Sequence, residues 1–417
     1  MHIEEIIINH YKSIKDPIYL RDLFGFHILV GPNNAGKTNI LDAINLFFDK
    51  DLETERFFDR DTDIQITLNI EGKRHKIRYG ESEEKDSIFS KAEKSFVRIN
   101  DTIDYPLVAK RINIFKENHP HEYKMFSSTL EKYFKEVEIT EELFLLNILA
   151  DEKSRSMKRM GEGFKRLFVI LFYLFHPQYR VILIDEPETH LHPSVIKRFL
   201  QILEKGSLKK QIFLTTHHPT FVQARYLPFI WRITRNKNKS TAVYGFNTKN
   251  IDLNRLVQEI NDENSGILFA DKVLLVEGVS DAIFMREMIN KFYKNDKDIK
   301  VVYTSGKGSV DLYATICEVF NIPHSIMLDN DAINSSSLQK IKKFPKFNKK
   351  TSLQEKIKRL KEEEIFILEN DLEQIYPVKY KKREKKPLTA LYVSQQITKE
   401  DLNTEEMRII KELLEAI

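Results

Sequence analysis

Acidic side chains with glycines close by occur in both halves of this 417-residue sequence. In the first half, Asp185 and Glu186 follow an apolar run; in the second, Glu277 precedes a glycine and Asp329 stands two residues before Asp331. Carboxylates in such positions can hold divalent cations and activate water, which phosphate-ester chemistry requires. The sequence therefore predicts two separate sites for phosphate chemistry.

The loop at residues 31–38 has the composition of a phosphate-binding loop. Gly31 and Gly36 let the backbone approach a phosphate, Lys37 can reach the β- and γ-oxygens, and Thr38 can offer its hydroxyl to Mg²⁺. ATP with Mg²⁺ is therefore the predicted cofactor of this half. The residues of this region predicted to contact the nucleotide are Gly31, Asn33, Asn34, Gly36, Lys37, Thr38 and Asn39.

An acidic pair completes the first site. Asp185 ends an apolar strand and is predicted to bind Mg²⁺, while Glu186 polarises the attacking water. The alternative is that the pair only caps the next helix, but capping does not require two acids after four buried aliphatic residues. His217 ends the neighbouring apolar strand, where it can contact the γ-phosphate; a structural histidine is the alternative there.

The second site is predicted to bind a divalent cation, Mg²⁺ or Mn²⁺, against a phosphodiester. Glu277 ends an apolar strand, and Gly278 leaves room for a substrate backbone. Asp329 and Asp331 share a face if their strand continues, so they could bind one cation together. Strand-end carboxylates of parallel strands converge at one sheet edge. A solvated loop would explain each acid singly, but not the set.

The hydrophobic pattern predicts the elements that position the first site. Apolar runs at 26–30, 181–184 and 211–214, separated by helical patterns, are typical of parallel strands covered on both faces. Alternating segments at 64–78 and 229–246 predict two hairpins. The predicted fold of this half is α/β, a mixed or parallel sheet with helices on both sides.

A second, smaller α/β unit is predicted to begin near residue 271. Strand patterns at 272–276, 301–304 and 325–328 alternate with helical patterns at 281–292 and 309–320, as in a Rossmann-like unit. The expected organisation is a first domain at 1–248 with a helical insertion or dimerisation segment at 81–153, a linker helix at 249–270, and a second domain at 271–417 with a C-terminal helical extension.

Composition narrows the classes of protein further. Apolar residues make up 41% of the chain, enough for a core in each domain, and the single cysteine, Cys317, fits a reducing compartment. No apolar run is long enough to cross a bilayer, so a soluble cytoplasmic protein is expected. Lysines cluster at 342–350 and lysines with one arginine at 379–386, which either attract a polyanion such as DNA or form a solvated surface.

Two of these motifs resemble ABC-type, SMC-like ATPases. The first strand with residues 9–13 and the segment Glu186–Pro193 match the family's opening strand and its Walker B ending. The resemblance implies a signature segment at 160–166, in which Gly161 and Gly163 meet the γ-phosphate bound to a second protomer of a homodimer. Gly161 stands where family members usually carry serine, so that position offers no side-chain contact.

The second half resembles a Toprim domain, with Glu277 after the first strand, a glycine turn at 305–308, and Asp329 and Asp331 after a later strand. Behind an SMC-like ATPase, this order is similar to the overcoming-lysogenisation-defect (OLD) nucleases. In that family a second acidic group and a late lysine complete a two-metal site. The resemblance carries these roles to Asp281, Glu373 and Lys386, although Lys386 lies in a basic run and could instead position phosphate or be solvated.

The combined expectation is an ATP-hydrolysing, metal-dependent endonuclease that cuts or nicks DNA, in phage defence or DNA repair by resemblance only. Two alternatives stay open: an ATP-driven DNA clamp or repair module that does not cleave, and a Toprim toxin acting on RNA such as tRNA. Topoisomerase activity is disfavoured because no additional domain presents a nucleophilic tyrosine.

Overall fold

The structure is a computed structural model, and its contacts divide the chain into two units. The first comprises Met1–Phe221 with Phe229–Gly245, and the second Val222–Pro228 with Phe246–Ile417. The predicted linker helix lies outside the described residues except for Arg255 and the residues from 264 onward. The described residues are 1–48, 63–79, 84–85, 95–99, 105–133, 138–142, 145–150, 153–156, 159–246, 255, 264–369, 371–380 and 385–417.

A six-stranded mixed sheet organises the first unit among the described residues. Its order is β14-β13-β3-β12-β11-β7, and every neighbouring pair is parallel except β13 with β14. The central strands are apolar and buried throughout, as expected for strands covered on both faces. The strands are β3 (Phe26–Val30), β7 (Phe96–Ile99), β11 (Val181–Ile184), β12 (Gln211–Thr215), β13 (Ile230–Arg235) and β14 (Thr241–Gly245).

A five-stranded antiparallel sheet lies beside helix α1 (Lys37–Phe48). Ile40, Leu41 and Ile44 of this helix share one buried core with Ile6 of the antiparallel sheet and Phe213 of the mixed sheet. The helix that follows the glycine-rich loop is thus held by apolar packing against both sheets. The antiparallel strands are β1 (Ile3–Asn9), β2 (Ile18–Leu20), β4 (Ile64–Ile70), β5 (Lys73–Tyr79) and β6 (Glu84–Lys85).

The segment predicted as a helical insertion at 81–153 is mixed where it is described. It contains α2 (Tyr105–Asn118), α3 (Pro120–Tyr133), strand β7 of the mixed sheet, and strands β8 (Glu138–Glu142) and β9 (Leu145–Ala150). β9 also pairs with β10 (Lys153–Ser156). None of these strands was predicted from the sequence, although β9 is largely apolar.

Helix α4 (Glu162–Phe175) is apolar on nearly all sides and is buried from Phe164 to Leu174. Phe168 and Phe172 pack edge-on against Phe126 of α3, with ring centroids 5.3 and 6.4 Å apart. Because this helix leads into β11, its packing fixes the strand that carries the first acidic pair. Helix α5 (Pro193–Ser207) then connects β11 to β12 and buries Ile196, Phe199, Leu200 and Leu203.

The second unit is built on a four-stranded parallel sheet in the order β16-β15-β17-β18 among the described residues. Leu274 and Val276 of this sheet share a core with Met285 and, from the C-terminal helices, with Val393 and Leu413. The strands are β15 (Lys272–Val276), β16 (Ile299–Tyr303), β17 (His324–Leu328) and β18 (Ile365–Ile367). The helices are α6 (Val279–Phe292), α7 (Val310–Val319), α8 (Leu353–Glu362), α9 (Leu372–Ile375), α10 (Lys386–Gln396), α11 (Lys399–Leu402) and α12 (Arg408–Ala416).

The predicted α/β class is therefore confirmed for both units. The strands and helices that were predicted have bounds within a few residues of those observed, because most of the predicted strands are buried aliphatic runs that end at a loop. In the part of the chain that is described, no helix has both the length and the apolar character needed to span a bilayer.

Candidate nucleotide and metal sites

The two glycines of the phosphate-binding loop lie where a side chain would collide with neighbouring strands. Gly31 directly follows β3 at φ 143°, and a Cβ there would stand 2.0 Å from the carbonyl oxygen of Ile233. Gly36 precedes α1 at φ 103°, and its Cβ would stand 2.4 Å from the Thr241 hydroxyl. Since both positions combine positive φ with a close neighbour, the loop conformation requires glycine.

Lys37, the first residue of α1, lies folded back on the loop. Its Nζ donates to the carbonyl oxygens of Gly31 at 2.9 Å and Pro32 at 2.8 Å, and the side chain is buried. Burial lowers the pKa of Lys37 to about 8, against the opposing effect of Glu186, Asp185 and Glu188. The ammonium is thus held at the loop among three carboxylates of the neighbouring strand end.

The asparagines predicted to contact the nucleotide differ in their surroundings. Asn33 and Asn34 are exposed on the loop, and Asn34 adopts φ 58° while its carbonyl accepts from Arg235 Nε at 2.9 Å. Asn39 instead donates from its amide to the Ser13 hydroxyl at 2.6 Å. The side chains of Asn33 and Asn34 are therefore accessible to a ligand. Asn39 instead joins α1 to Ser13 in the segment that follows β1.

Asp185, which follows β11, lies opposite the start of α1. The Thr38 hydroxyl donates to Asp185 Oδ1 at 3.3 Å, and the Thr215 hydroxyl donates to the same oxygen. The structure thus places together the hydroxyl and the carboxylate that the sequence predicted to share Mg²⁺. Oxygen donors of this kind match the preference of Mg²⁺, so these two residues fit the ion.

Arg98 of β7 is a residue of this site that the sequence interpretation missed. Its guanidinium forms an ion pair with Asp42 of α1 and reaches Asp185 Oδ2 at 3.8 Å. The parallel register of β7 and β11 pairs Arg98 with Leu183, which brings the side chain to the acidic pair. Arg98 falls in the charged stretch where no motif could be recognised, so only the strand pairing reveals it.

Glu186 and His217, which follow the neighbouring strands β11 and β12, face each other in the structure. His217 Nε2 lies 3.3 Å from Glu186 Oε1. Glu186 adopts φ 47°, and its amide donates to the carbonyl and the hydroxyl of Thr215 at 3.2 and 3.0 Å. Burial and the Lys37 charge lower the pKa of His217, so the imidazole is mainly neutral near pH 7.

Glu188 is a second residue whose importance appears only in the structure. One of its oxygens accepts from the Thr216 hydroxyl at 2.6 Å and from the His217 amide at 3.0 Å. Burial raises the pKa of this carboxyl group, while those hydrogen bonds oppose the rise. Glu188 therefore fixes the turn that presents His217 to Glu186. The sequence contained it in the Walker B ending, but its partner was not identifiable there.

The two signature glycines lie at the N-terminus of α4. Gly161 is the N-cap, and no atom would meet a Cβ placed on it. Gly163 is different, because its Cβ would stand 2.3 Å from the carbonyl oxygen of His190. Packing within the chain thus accounts for glycine at 163, and the predicted contact with a nucleotide on a second protomer stays a prediction. Arg166, one turn later, donates to the Asp185 carbonyl and joins this helix to the strand end.

In the second unit, Glu277 directly follows β15 and lies next to the glycine turn. Its carbonyl accepts from the Gly306 amide at 3.0 Å, and Gly306 has φ 112°. Burial raises the pKa of Glu277, and Asp331, Asp281 and Asp371 raise it further, whereas Lys307 lowers it. Its buried Oε2 has no hydrogen-bond partner among the described residues.

Asp329 and Asp331 are not positioned by a continuing strand, which was the condition for their sharing a face. β17 ends at Leu328, and Asp329 is the N-cap of a 3₁₀ helix at Asn330–Asn334. Burial raises the pKa of Asp329 to about 7, with further contributions from Asp281, Glu277, Asp371 and Asp331. Asp331 is the more open group, with a side chain 71% exposed. A helical turn therefore brings the two acids toward Glu277.

Lys307 of the glycine turn is the cation of this cluster and was not predicted as such. Its Nζ forms an ion pair with Asp331 and lies 3.9 Å from Glu277 Oε1. Asp371, which also acts on the pKa values of Glu277 and Asp329, is a further acid that the sequence interpretation did not select. Both lie beside residues that were recognised, in the turn 305–308 and in the acidic stretch 369–373.

The second acidic group implied by the family resemblance, Asp281 with Glu373, lies beside the first, since Asp281 raises the pKa values of Glu277 and Asp329. Asp281 Oδ2 accepts from the Gly278 amide at 2.9 Å and so caps α6. Burial raises the pKa of Asp281, as does Glu373, while Lys386 lowers it. Glu373 Oε1 in turn lies 3.1 Å from Lys386 Nζ. The lysine is thus placed beside the predicted acids, with its side chain 69% exposed.

The donor set of this cluster fits a hard divalent cation. Carboxylates are the preferred protein ligands of Mg²⁺ and Mn²⁺, and the unpartnered Glu277 oxygen together with the raised pKa of Asp329 indicates missing positive charge. In the present side-chain conformations, no three acidic, histidine or cysteine groups of the described residues close around one metal position. Lys307 instead occupies the space between Glu277 and Asp331.

Family models match three parts of the chain. Residues 1–105 match an AAA ATPase domain, and residues 89–223 match an AAA domain whose description names the AbiEii toxin of a type IV toxin–antitoxin system. Residues 268–331 match the Toprim domain of overcoming-lysogenisation-defect-like proteins. The Toprim match ends at Asp331 and includes Glu277, Asp281, Lys307 and Asp329.

Three curated relatives resemble the chain at low identity. An OLD nuclease of Thermus scotoductus is 27% identical over 165 residues, covering 36% of this chain and 30% of that protein. The Old nuclease of Escherichia phage P2 is 25% identical over 253 residues, covering 55% and 42%. Endonuclease GajA of Bacillus cereus is 24% identical over 192 residues, covering 44% and 33%. The matched region thus spans less than half the length of each relative.

These matches follow the division seen in the structure. The AAA models cover the phosphate-binding loop and the Asp185 strand, and the Toprim model covers the strands that carry Glu277 and Asp329. The resemblance drawn from the motifs is therefore confirmed at the level of domains. Residues 1–223 thus match AAA ATPase domain models and residues 268–331 match the Toprim domain of OLD-like proteins, so the chain combines an ATPase domain with a Toprim domain.

Proposed function

We propose that the chain is an ATP-hydrolysing, divalent-metal-dependent endonuclease that cuts or nicks DNA. The observation that carries this proposal is the acidic cluster at the carboxyl ends of β15 and β17, where the pKa of Asp329 is raised to about 7 by burial and by four neighbouring acids. Such a surplus of negative charge in a partly buried site favours cation binding. The relatives named nucleases support phosphodiester hydrolysis as the reaction.

In the first unit, the loop and strand-end groups have distinct roles in handling ATP. Lys37 can exchange its carbonyl partners for β- and γ-phosphate oxygens, because its donors already point into the loop. Thr38 and Asp185 would hold Mg²⁺, which supplies charge neutralisation to the phosphates when bound. Glu186 is positioned to accept a proton from the attacking water, and neutral His217 can hydrogen-bond to it or to the γ-phosphate.

The backbone of Glu186 supports this assignment. A non-glycine residue at φ 47° costs roughly 1–2 kcal/mol, and here the Thr215 hydrogen bonds hold it. Strained residues of this kind cluster at functional sites. The turn directs the Glu186 carboxylate toward the His217 imidazole. The Thr215 carbonyl at the end of β12 accepts a hydrogen bond from the Glu186 amide.

In the second unit, Glu277, Asp329 and Asp331 would hold one divalent cation, and Asp281 with Glu373 would contribute to a second. Bound metal would supply Lewis-acid activation of water and stabilisation of the leaving oxygen. Lys386, held beside Glu373, can bind a phosphate oxygen and stabilise the charge that develops in the transition state. Lys307 must leave Asp331 for that carboxylate to bind metal, and its long side chain permits this movement.

Homodimer formation through the ATPase unit is part of the proposal. It rests on the resemblance to ABC-type ATPases, in which the signature segment of one protomer meets the nucleotide of the other. The exposed, unobstructed N-terminus of α4 at Gly161 is compatible with such a contact. A role in phage defence or DNA repair is likewise proposed from the family resemblance.

The decisive experiment is plasmid cleavage by the purified chain with Mg²⁺ or Mn²⁺, with and without ATP. Glu277→Ala and Asp329→Ala should each reduce cleavage by roughly 10²–10³-fold, as expected when a transition-state-stabilising group is removed. Asp296→Ala, which removes an exposed acid of the same unit, is the matched control and should leave cleavage unchanged. Full cleavage by both site variants would refute the assignment.

The same preparation distinguishes the alternatives. An ATP-driven clamp would bind DNA in the presence of ATP and produce no strand scission under any metal condition. A ribonuclease toxin would degrade labelled tRNA in preference to plasmid. Either result, in protein that binds both ATP and Mn²⁺, would replace the DNA endonuclease as the assigned function.

A further inference from the structure

A cleft of about 510 Å³ lies in the ATPase unit, away from the nucleotide site. Its walls are α3 and the C-terminal ends of α4 and α5. Arg180 and Lys210, which line it, directly precede β11 and β12, whereas Asp185 and Thr216 follow the opposite ends of those strands. The cleft therefore lies at the amino edge of the parallel strands, and the phosphate-binding loop at the carboxyl edge. We call it the distal cleft.

The lining of the distal cleft is strongly basic. Six cationic side chains face a single acid, Glu122, although the net charge of the whole chain is only +4. Among the described residues, no ion pair involves Arg180, Lys205 or Lys209, and all three are exposed. The cationic residues are Lys132, Arg180, Arg198, Lys205, Lys209 and Lys210.

Lys210 shows that this charge is built into the fold. Its Nζ donates to the carbonyl oxygens of His176 at 2.6 Å and Tyr179 at 2.5 Å, beyond the C-terminal end of α4. Burial lowers the pKa of Lys210 to about 7, and the neighbouring Arg180 lowers it as well. Because the Nζ of Lys210 already donates to these carbonyl oxygens and its pKa is near neutrality, the firmer positive charges of the cleft are those of its arginines and other lysines.

The remaining lining is apolar and gives the distal cleft a second character. Met125, Leu174, Phe175, Pro177 and Ile202 contribute to it, and Met125 is 44% exposed. A volume of this size lies within the roughly 300–1,000 Å³ range of small-molecule sites, which combine apolar walls with a few placed polar groups. A groove that only follows a nucleic-acid backbone would not need such a lining.

We propose that the distal cleft binds a small phosphorylated organic molecule of the nucleotide class. The several cations match a multiply charged phosphate group, and Arg180 and Arg198 can each bind phosphate oxygens in the bidentate manner of a guanidinium. The apolar wall around Phe175 and Met125 would contact the base. This site is distinct from the ATP site and does not depend on the endonuclease assignment.

The test is nucleotide binding to the full chain carrying Lys37→Ala, which weakens the phosphate-binding loop. Because Lys37→Ala only weakens the first site, equilibrium dialysis with labelled AMP, ADP and ATP should resolve a second site per chain whose affinity this substitution does not change. Adding Lys205→Glu with Lys209→Glu should weaken that binding by roughly tenfold or more, because charge-assisted contacts are lost and repulsion is added. Lys73→Glu with Lys76→Glu, at exposed positions of β5, is the charge-matched control and should leave it unchanged.

Competition and cross-linking supply the remaining outcomes. An azido-nucleotide should label peptides from 120–133, 162–177 or 193–210, and inorganic pyrophosphate should compete less well than ADP because it cannot use the apolar wall. The proposal is overturned if the Lys37→Ala chain binds no nucleotide, if the control pair weakens binding equally, or if pyrophosphate competes as well as ADP. It is also overturned if duplex DNA, but no mononucleotide, binds at these residues.

Discussion

The nucleotide site and the acidic site both gather carboxylates at the carboxyl ends of parallel strands, yet their charge balance differs. In the first, Asp42 pairs with Lys12 and Arg98, and Asp185 receives hydroxyl hydrogen bonds and lies near Arg98. In the second, the pKa values of Glu277, Asp281 and Asp329 are all raised, with burial as the largest cause.

This difference indicates what each site lacks. At the phosphate-binding loop, the buried Lys37 and the nearby loop amides present positive charge to an incoming anion. In the acidic site, Lys307 contacts only Asp331 and approaches Glu277, so Asp329 has no cationic partner at ion-pair distance among the described residues. The carboxyl edge of a parallel sheet therefore presents positive charge in the first unit and unbalanced negative charge in the second, which would suit a polyanion and cations respectively.

The glycines of the two sites differ in how closely neighbouring atoms surround them. Gly31→Ala should lower the free energy of unfolding by about 3 kcal/mol, because the new Cβ would stand 2.0 Å from the Ile233 carbonyl oxygen at a positive φ. Gly306→Ala in the second unit should cost only about 1–2 kcal/mol, since nothing lies within 4 Å of its Cβ and only backbone strain is added. Urea unfolding followed by circular dichroism measures both.

A control for strain alone exists in the first unit. Gly72, in the turn between β4 and β5, has φ 74° and open space around its Cβ. Gly72→Ala should therefore behave like Gly306→Ala. If Gly72→Ala destabilised as strongly as Gly31→Ala, the collision with Ile233 would not be the cause of the loss in stability at Gly31.

Much of the fold could be predicted from the sequence because its strands are short aliphatic runs that end at loop signals. The runs 26–30, 181–184 and 272–276 became β3, β11 and β15 with unchanged or nearly unchanged bounds. β7 escaped prediction, since Phe96–Ile99 is short and contains Arg98 among charged neighbours. Its strand character depends on pairing with β11, which lies about eighty residues away in sequence.

The site residues that could be predicted are those whose chemical role follows from their own type and their place in a local motif. Lys37, Asp185, Glu277 and Asp329 are of this kind. The three acids directly follow strands, and Lys37 begins the helix after the phosphate-binding loop. Arg98, Glu188 and Lys307 are not of this kind, because their roles arise from partners far apart in sequence. Asp331 was placed beside Asp329 by an assumed strand, whereas the chain uses a 3₁₀ helix.

Replacing Lys37 or Lys307 by methionine should have opposite effects on ligand affinity in the two sites. Lys37→Met should weaken ATP binding by roughly tenfold through loss of a charge-assisted hydrogen-bond donor. Lys307→Met should strengthen Mn²⁺ binding by up to roughly tenfold, because it removes an internal cation from Asp331 and Glu277, and solvent screening limits the gain. Equilibrium dialysis with ATP and electron paramagnetic resonance with Mn²⁺ are the measurements.

Lys297→Met, at an exposed position in the second unit, is the control for Lys307→Met and should not alter Mn²⁺ affinity. If Lys307→Met instead weakened Mn²⁺ binding, the ammonium would support the metal site rather than compete with it. If Lys37→Met left ATP binding unchanged, the loop amides alone would account for phosphate recognition. Either result would remove the contrast between an anion-binding and a cation-binding sheet edge.

The buried His27 of the first unit and the partly buried Asp329 of the second should give opposite dependences of stability on pH. His27 packs on Phe213 and accepts from Trp231 Nε1 at 3.3 Å, and burial lowers its pKa to about 3. The unfolded chain therefore takes up a proton that the folded state does not below pH 6.5, so stability falls as pH decreases from 6.5 toward 3. His27→Phe should reduce this slope by about 1 kcal/mol per pH unit.

Asp329 has the opposite sign. Without metal, its folded pKa of about 7 exceeds the unfolded value of 3.8, so the folded state holds an extra proton and stability falls as pH rises from about 4 to 7. In EDTA, Asp329→Asn should remove about 1 kcal/mol of this loss between pH 5 and 7, after allowance for solvent screening. Unfolding curves for both variants across pH 4–8 test the pair, since slopes of the same sign would show that burial does not keep His27 deprotonated and Asp329 protonated in the folded state.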